Sequence, residues 1–275
     1  MIIGNGMIAK AFTDYDADDV VIFASGVSNS LETNEGEFQR EERLLSKVIN
    51  DLNDRLLVYF STCSVYDPSV NESPYVKHKL KLETIIKDNV VRFNIFRLPQ
   101  VVGKASSRTL IKVFVDKIQN EEQFDVWIDS YRNMIDIDDV LVTVGHIIEN
   151  KLFTKEIVNI ASPVNTPILE IVNIIEMVLN KRANYAIVKK GANYSVELGH
   201  CTEIYNRLGI KFCEGYIKKV IEKYYAHSTV SRGIGTCCSD YGDEHKPMLP
   251  HQLVAIESEV ERSDNTVVQV TQPLS

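Results

Sequence analysis

The chain has 275 residues, 44% of them hydrophobic and 25% charged, which fits one large or two small globular domains and excludes a disordered chain, a fibre and a disulfide scaffold. Its net charge of −8 counts against non-specific nucleic-acid binding, which needs clustered Lys and Arg, while one or two local basic groups and backbone amides still suffice for an anionic ligand. No run of about 18 apolar residues offers a membrane span, the N-terminus does not read as a signal peptide, and five cysteines without a CxxC point to free thiols in a reducing cytoplasm.

In chain order, Met1–Ile3 reads as a strand. It runs into Gly4-Asn5-Gly6-Met7-Ile8-Ala9, a GxGxxA turn that opens the helix Gly6–Phe12. Glycines at such a turn let backbone approach a pyrophosphate at a helix N-terminus, so the physical reading is dinucleotide binding; the bland one is a tight strand–helix turn. A second strand, Val20–Ala24, follows after only Thr13–Asp19. Seven residues cannot hold the strand, helix and strand that complete a mononucleotide half, because a strand alone takes about 5–6 residues. The acidic residue that normally reads the adenosine ribose therefore has no strand to sit on, and weak binding with little preference between NAD and NADP is expected.

The helix Glu37–Leu52 keeps Leu44, Leu45, Val48, Ile49 and Leu52 at helical spacing. The strand Leu56–Ser61 ends in small hydroxyl residues, Ser61, Thr62 and Ser64. Ligands of open α/β sheets bind at the C-terminal ends of strands, so these hydroxyls are candidates for a substrate oxygen; their bland reading is turn and capping chemistry. Helix Tyr75–Lys87 opens with Tyr75-Val-Lys-His-Lys79. Spacing i,i+4 places Tyr75 and Lys79 on one face, and an ammonium beside a phenol favours the phenolate, which makes Tyr75 a candidate proton donor or acceptor. Tyr185 and Lys189 repeat the spacing in a strand or loop, so the pattern gains meaning only from its context. His78 lies about 100° from Lys79 around the helix and reads as exposed.

Further on come the strand Asn94–Arg97, helices Leu110–Gln119, Asp138–Asn150 and Pro167–Leu179, and the strand Ile157–Ile160. Alternation of strand and helix implies a parallel α/β sheet wound on both sides. Trp127 reads as a packing residue. From about His227 the chain turns rich in Ser, Gly, Asp and Pro, with three basic against seven acidic residues. This sets a boundary between a domain over 1–226 and an acidic tail over 227–275, weakly packed or disordered. Cys237, Cys238, His245 and His251 in that tail match no zinc spacing, so no metal site is expected. Cys63 has no histidine evidently paired with it for nucleophilic work.

The pieces GNGMIA, VVIFASGVSNS, FSTCSVYD, SPYVKHKLKLE, IFRLPQVVGK, RNMIDIDDV and IVNIASPVNTPILEIVNII resemble, in this order, the extended short-chain dehydrogenase/reductase superfamily, in its NAD-dependent epimerase/dehydratase branch that acts on nucleotide sugars. The resemblance implies a Rossmann-like parallel sheet of reduced strand number with a small C-terminal substrate-binding portion. It implies Thr62, Tyr75 and Lys79 as catalytic residues. The cofactor, NAD or NADP, would meet Gly4, Asn5, Gly6, Met7, Ile8, Ala24, Ser25, Gly26, Ser61, Lys79 and Pro99. Gln100 and Arg132 would bind substrate, and Asp138 or Asp139 would cap a helix. The implied function is oxidoreduction of a nucleoside-diphosphate sugar, foremost reduction of a 4-keto sugar, in polysaccharide biosynthesis. The alternatives are a C4-type epimerase holding NAD tightly and a non-catalytic binding protein. Where sugar 4,6-dehydratases of the family carry an acidic pair after the catalytic threonine, this chain has Cys63 and Ser64, which argues against dehydration. A homodimer through Glu37–Leu52 and Tyr75–Lys87 is a further implication of the resemblance alone.

Overall fold

The protein, seen here as a computed structural model, is described over residues 1–15, 17–104 and 109–226. The acidic tail 227–275, with Cys237, Cys238, His245 and His251, lies outside the described residues, as does Asp16.

Five parallel strands form the central sheet in the order β1 (Ile2–Ile3), β2 (Val20–Phe23), β3 (Leu56–Thr62), β4 (Phe93–Leu98) and β8 (Glu156–Asn159). All seven residues of β3 are buried, because helices cover both faces of the sheet and leave no solvent side on which polar residues could alternate. On one face lie α1 (Met7–Ala11) and α5 (Ile137–Glu149), with Phe12, Val140 and Val144 against Ile22, Val58 and Phe96. On the other lie α2 (Glu35–Asn50) and α3 (Pro74–Asn89), whose Leu45, Val48, Leu82 and Ile86 meet Val21, Leu57 and Ile95. Leu45, Leu82 and Ile86 are fully buried, and truncating any of them to alanine is expected to cost about 2–5 kcal/mol.

Among the described residues β1 pairs with β2 alone. Among these residues the first strand is therefore a sheet edge, with no strand beyond it to carry a ribose-reading residue. This is the shortened architecture that the Thr13–Asp19 connection implies.

A second core builds the C-terminal portion from α4 (Leu110–Gln119), α6 (Ile168–Leu179) and α8 (Tyr216–Tyr225), around Ile111, Phe114, Met134, Ile171, Ile175 and Ile221. It is edged by the parallel pair β6 (Phe124–Trp127) and β10 (Tyr185–Val188), and by the sheet β5 (Gln100–Val102), β7 (Tyr131–Asp136) and β9 (Asn165–Pro167). A short helix, α7 (Cys201–Arg207), packs Ile204 and Tyr205 onto the first core.

Candidate active site

The glycine turn and the loop after β2 are in direct contact. Gly4 has φ +135°, and a Cβ there would lie 2.3 Å from the Ala24 carbonyl oxygen, so only glycine allows the two segments to come this close. Gly6 is the extended N-cap of α1, and a Cβ on it would meet nothing within 4 Å. Asn5, Met7 and Ile8 complete the turn, and Met7 and Ile8 pack their side chains against the first core. Ala24, Ser25 and Gly26 follow β2 beside it. Open space over Gly6 and close packing under Gly4 fit the approach of a pyrophosphate to backbone.

Thr62 ends β3 and caps a 3₁₀ turn, Cys63–Tyr66, its Oγ1 accepting from the Ser64 N–H at 3.0 Å. Capping uses an acceptor position and leaves the hydroxyl proton to donate elsewhere. Ser61 is committed differently, donating to Glu83 Oε1 at 2.6 Å. Glu83 is clamped by Arg97, whose Nε and Nη2 lie 2.9 and 2.6 Å away. Cys63 is fully buried and its thiol donates to the Arg97 carbonyl. Burial pushes that thiol up to about 12, with Arg97 opposing and Glu83 adding, so it is an inert group at neutral pH.

Ser73 caps α3 by accepting from the Val76 N–H, and Pro74 occupies the first turn, the arrangement that starts a helix firmly. Tyr75 is thereby fixed in the first turn. It packs with Val27, Phe38, Val76 and Val65 of the 3₁₀ turn, which brings it beside the end of β3. Lys79 Nζ lies 6.0 Å from the Tyr75 ring centroid. Lys79 is only 3% exposed and donates to Glu41 Oε1 at 2.9 Å and to Tyr59 Oη at 3.2 Å. His78, expected at the surface, is instead buried. It stacks on Phe38 with ring centroids 4.7 Å apart and faces Glu41 Oε2 at 3.1 Å. The correction has a tertiary cause: α2 covers the α3 face that helical angle alone would leave to solvent.

Pro99 links β4 to β5, and Gln100 pairs with Met134 of β7. Arg132 stands on β7 with Nη1 2.7 Å from the Tyr131 carbonyl and 3.9 Å from Asp67 Oδ2. Asp67 follows the 3₁₀ turn, so Arg132 reaches the segment that Thr62 begins. The helix cap expected at Asp138 or Asp139 is made by Asp136, whose Oδ1 accepts from the Asp138 N–H at 3.1 Å. The cap position precedes the helix, and β7 runs straight into it. Trp127 is covered by Lys190, 4.1 Å from the ring centroid.

Glu41, Asp67 and Tyr194 were not singled out by sequence reasoning. Glu41 carried a signal: it lies in the apolar stripe Phe38, Leu45 and Val48, where a carboxylate must be buried. Burial, with Asp67 adding and Arg132 opposing, pushes the Tyr194 phenol up to about 12. Tyr194 also borders a cleft of about 410 Å³ lined by Asn133, Ser162, Asn165, Asn193 and Ser195. None of Thr62, Tyr75 and Lys79 lines it. No group of three or more His, Cys, Asp or Glu placed to hold a metal ion occurs among the described residues.

The sequence profile of the NAD dependent epimerase/dehydratase family matches residues 4–161. No curated protein matches the chain in sequence. Solved structures share the fold. A UDP-glucuronic acid 4-epimerase from Bacillus cereus, in complex with UDP-glucuronic acid and NAD, is 20% identical with TM-score 0.59, covering 80% of this chain and 77% of its own. A dTDP-4-dehydrorhamnose reductase from Clostridium acetobutylicum is 16% identical with TM-score 0.58, covering 79% and 83%. RMD from Pseudomonas aeruginosa, complexed with NADPH, is 16% identical with TM-score 0.57, covering 74% and 79%.

Proposed function

The chain belongs to the NAD dependent epimerase/dehydratase family, whose profile spans more than half of it, and from that premise we propose an NAD(P)-dependent enzyme that reduces a 4-keto nucleoside-diphosphate sugar. The observation that carries the reading is the meeting of Tyr75, at the start of α3, with the turn that Thr62 caps at the end of β3, with Lys79 one helical turn further along. Gly4–Ile8, Ala24–Gly26 and Lys79 are the groups to hold the dinucleotide, which when bound supplies the hydride.

Thr62 donates its hydroxyl proton as a hydrogen bond to the ketone oxygen and orients it. Tyr75 transfers its phenolic proton to that oxygen as the alcohol forms. Lys79 supports the resulting phenolate until solvent restores the proton. Arg132 is the basic group for the diphosphate, and Gln100 a polar contact for the sugar. The buried Cys63 thiol and Ser64 offer no carboxyl acid or base, so 4,6-dehydration is not part of the activity. Because β1 is the sheet edge among the described residues, adenosine rests on an open surface, and NAD and NADP bind weakly with little preference. Free cysteines at 63, 201 and 213 fit a reducing cytoplasm.

The test is to mix the purified chain with NADH or NADPH and a nucleotide-linked 4-keto-6-deoxy sugar, following dinucleotide absorbance and product mass. A reduced sugar nucleotide is expected. No dinucleotide oxidation across a panel of 4-keto sugar nucleotides would sink the reductase reading, and epimer formation without net oxidation would replace it by an epimerase.

A further inference from the structure

The proposed chemistry uses Lys79 but not the carboxylate that Lys79 touches. Glu41 is fully buried. A carboxylate offers about four acceptor positions, and here four donors fill them. Oε1 faces Tyr59 Oη and Lys79 Nζ, each at 2.9 Å. Oε2 faces the Val27 N–H at 2.7 Å and His78 Nε2 at 3.1 Å. The donors come from β3, from α3 and from the loop after β2, so one side chain on α2 ties three other segments together. Gly26 closes over the pair: a Cβ there would lie 2.6 Å from Lys79 Nζ and 2.7 Å from Glu41 Oε1.

An ammonium has three N–H bonds. Glu41 and Tyr59 take two of those of Lys79, which leaves one. A buried ion pair is a poor device for stability alone, since well-packed apolar groups of similar volume often serve as well or better. What apolar groups cannot do is hold one N–H of an ammonium in a set direction while fixing the backbone loop beside it.

We propose that Glu41 is a positioning residue for Lys79: it orients the one remaining N–H toward the cofactor ribose and ties the Ala24–Val27 loop to α3, so that the contacts the dinucleotide makes with loop and helix form as one unit. This rests on the reading of Lys79 as a ribose-binding lysine. It also accounts for His78, whose ring fills the remaining position on Oε2 beside the loop's N–H without needing any contact with the ligand.

A double-mutant cycle tests it. Dinucleotide affinity, measured by calorimetry with NADH and NADPH, is compared for the wild type, Glu41→Gln, Lys79→Met and the double variant, with thermal unfolding recorded for each. Lys79→Met is expected to weaken affinity about tenfold or more. Glu41→Gln should weaken it by a similar factor, raising KM for the dinucleotide and leaving KM for the sugar nucleotide unchanged, and the double variant should be no weaker than Lys79→Met. Factors that multiply in the double variant, or wild-type affinity in Glu41→Gln beside a weakened Lys79→Met, would overturn the proposal and leave the Lys79 reading intact. Wild-type affinity in Lys79→Met, or no dinucleotide binding by the wild type, would overturn that reading and the proposal together. If Glu41→Gln does not fold, Tyr59→Phe keeps the ring and removes only the hydroxyl shared by Glu41 and Lys79. It is expected to weaken dinucleotide affinity in the wild-type background and not in Lys79→Met; equal effects in both backgrounds would overturn the proposal.

Discussion

Two acidic centres tie helices of this molecule together, and they are built on different charge ratios. Between α2 and α3 one carboxylate, Glu41, meets one ammonium and three further hydrogen-bonding groups. At the start of α5 three carboxylates, Asp136, Asp138 and Asp139, face one ammonium, Lys223 of α8, with Tyr216 and Tyr224 donating from the same helix. Burial opposes the charge of Glu41, but Lys79 and the hydrogen bonds from His78, Lys79 and Val27 win and hold it down at about 2. Burial also opposes the charge of Asp139; there the Tyr216 hydrogen bond helps it, Asp136 repels it, and it is pushed up to about 6. The number of positive charges and donors per carboxylate, not burial as such, decides which way a buried acid shifts.

The largest effect that sets the two centres apart concerns turnover. Tyr75→Phe beside the first centre is expected to lower turnover by roughly 10²–10⁴-fold, the usual worth of a positioned acid or base, without loss of fold. Tyr185→Phe, which repeats the YxxxK spacing on β10, is expected to leave the rate unchanged. Near wild-type turnover in Tyr75→Phe, on any sugar nucleotide the chain converts, would remove the catalytic assignment.

Stability separates the centres next. Glu41→Ala strands a buried ammonium and should cost about 3–5 kcal/mol. Asp139→Asn removes a charge the site already disfavours and keeps an acceptor for Tyr216, so a gain of up to about 3 kcal/mol at neutral pH is expected. Denaturant midpoints measure both, and equal costs would show that the charge ratio is not what matters.

Acid should then act on the centres in opposite senses. The folded-state pKa of Glu41 is lowered from 4.5, so its stabilisation is present above pH 4.5 and lost as pH falls toward about 2, on the order of 3 kcal/mol in all. The folded-state pKa of Asp139 is raised from 3.8, so its contribution is fully present below that value and lost as pH rises through about 6, again on the order of 3 kcal/mol at most. Stability is expected to rise from pH 7 to 5 and to fall below pH 4. Asp139→Asn should flatten the upper limb alone; an unchanged upper limb in that variant would place the titrating group elsewhere.

The two regions also differ in how far the sequence discloses them. The five strands of the central sheet and α1 to α6 are legible within about two residues, because strands buried on both faces are unbroken apolar runs and the helices keep a 3.6-residue stripe. Thr62, Tyr75 and Lys79 are legible as a pattern. What Lys79 touches is not, since Glu41 arrives from 38 residues away and only its place in an apolar stripe hints at burial. The C-terminal portion is harder to read. Phe124–Trp127, Asn165–Pro167 and Tyr185–Val188 are three- or four-residue strands, too short for a period. In Tyr131–Asp136 the arginine and the aspartates that follow on α5 stand out in the sequence and hide the strand that leads into them.

The smallest effect probes the second centre through its one lysine. Lys223 is half in solvent, its side chain 42% exposed, and lies 2.7 Å from Asp136 and 2.6 Å from Asp138. As a partly exposed pair it should be worth only about 0.5–1 kcal/mol at neutral pH. Lys223→Met removes the positive charge that opposes the shift of Asp139, so Asp139 should take up its proton at higher pH than in the wild type. At pH 7 the variant still leaves more carboxylate charge with no ammonium against it than at pH 5. At pH 5 Asp139 is already neutral, and less repulsion remains for Lys223 to offset. The loss should therefore be larger at pH 7 than at pH 5, and it should shrink at both when salt screens the charges. Denaturant midpoints at the two pH values, in low and high salt, read it directly. An equal loss under all four conditions would mean that Lys223 acts by packing its stem over Tyr224, whose ring centroid is 5.0 Å from Nζ, and that the acidic excess does not govern how α8 is held.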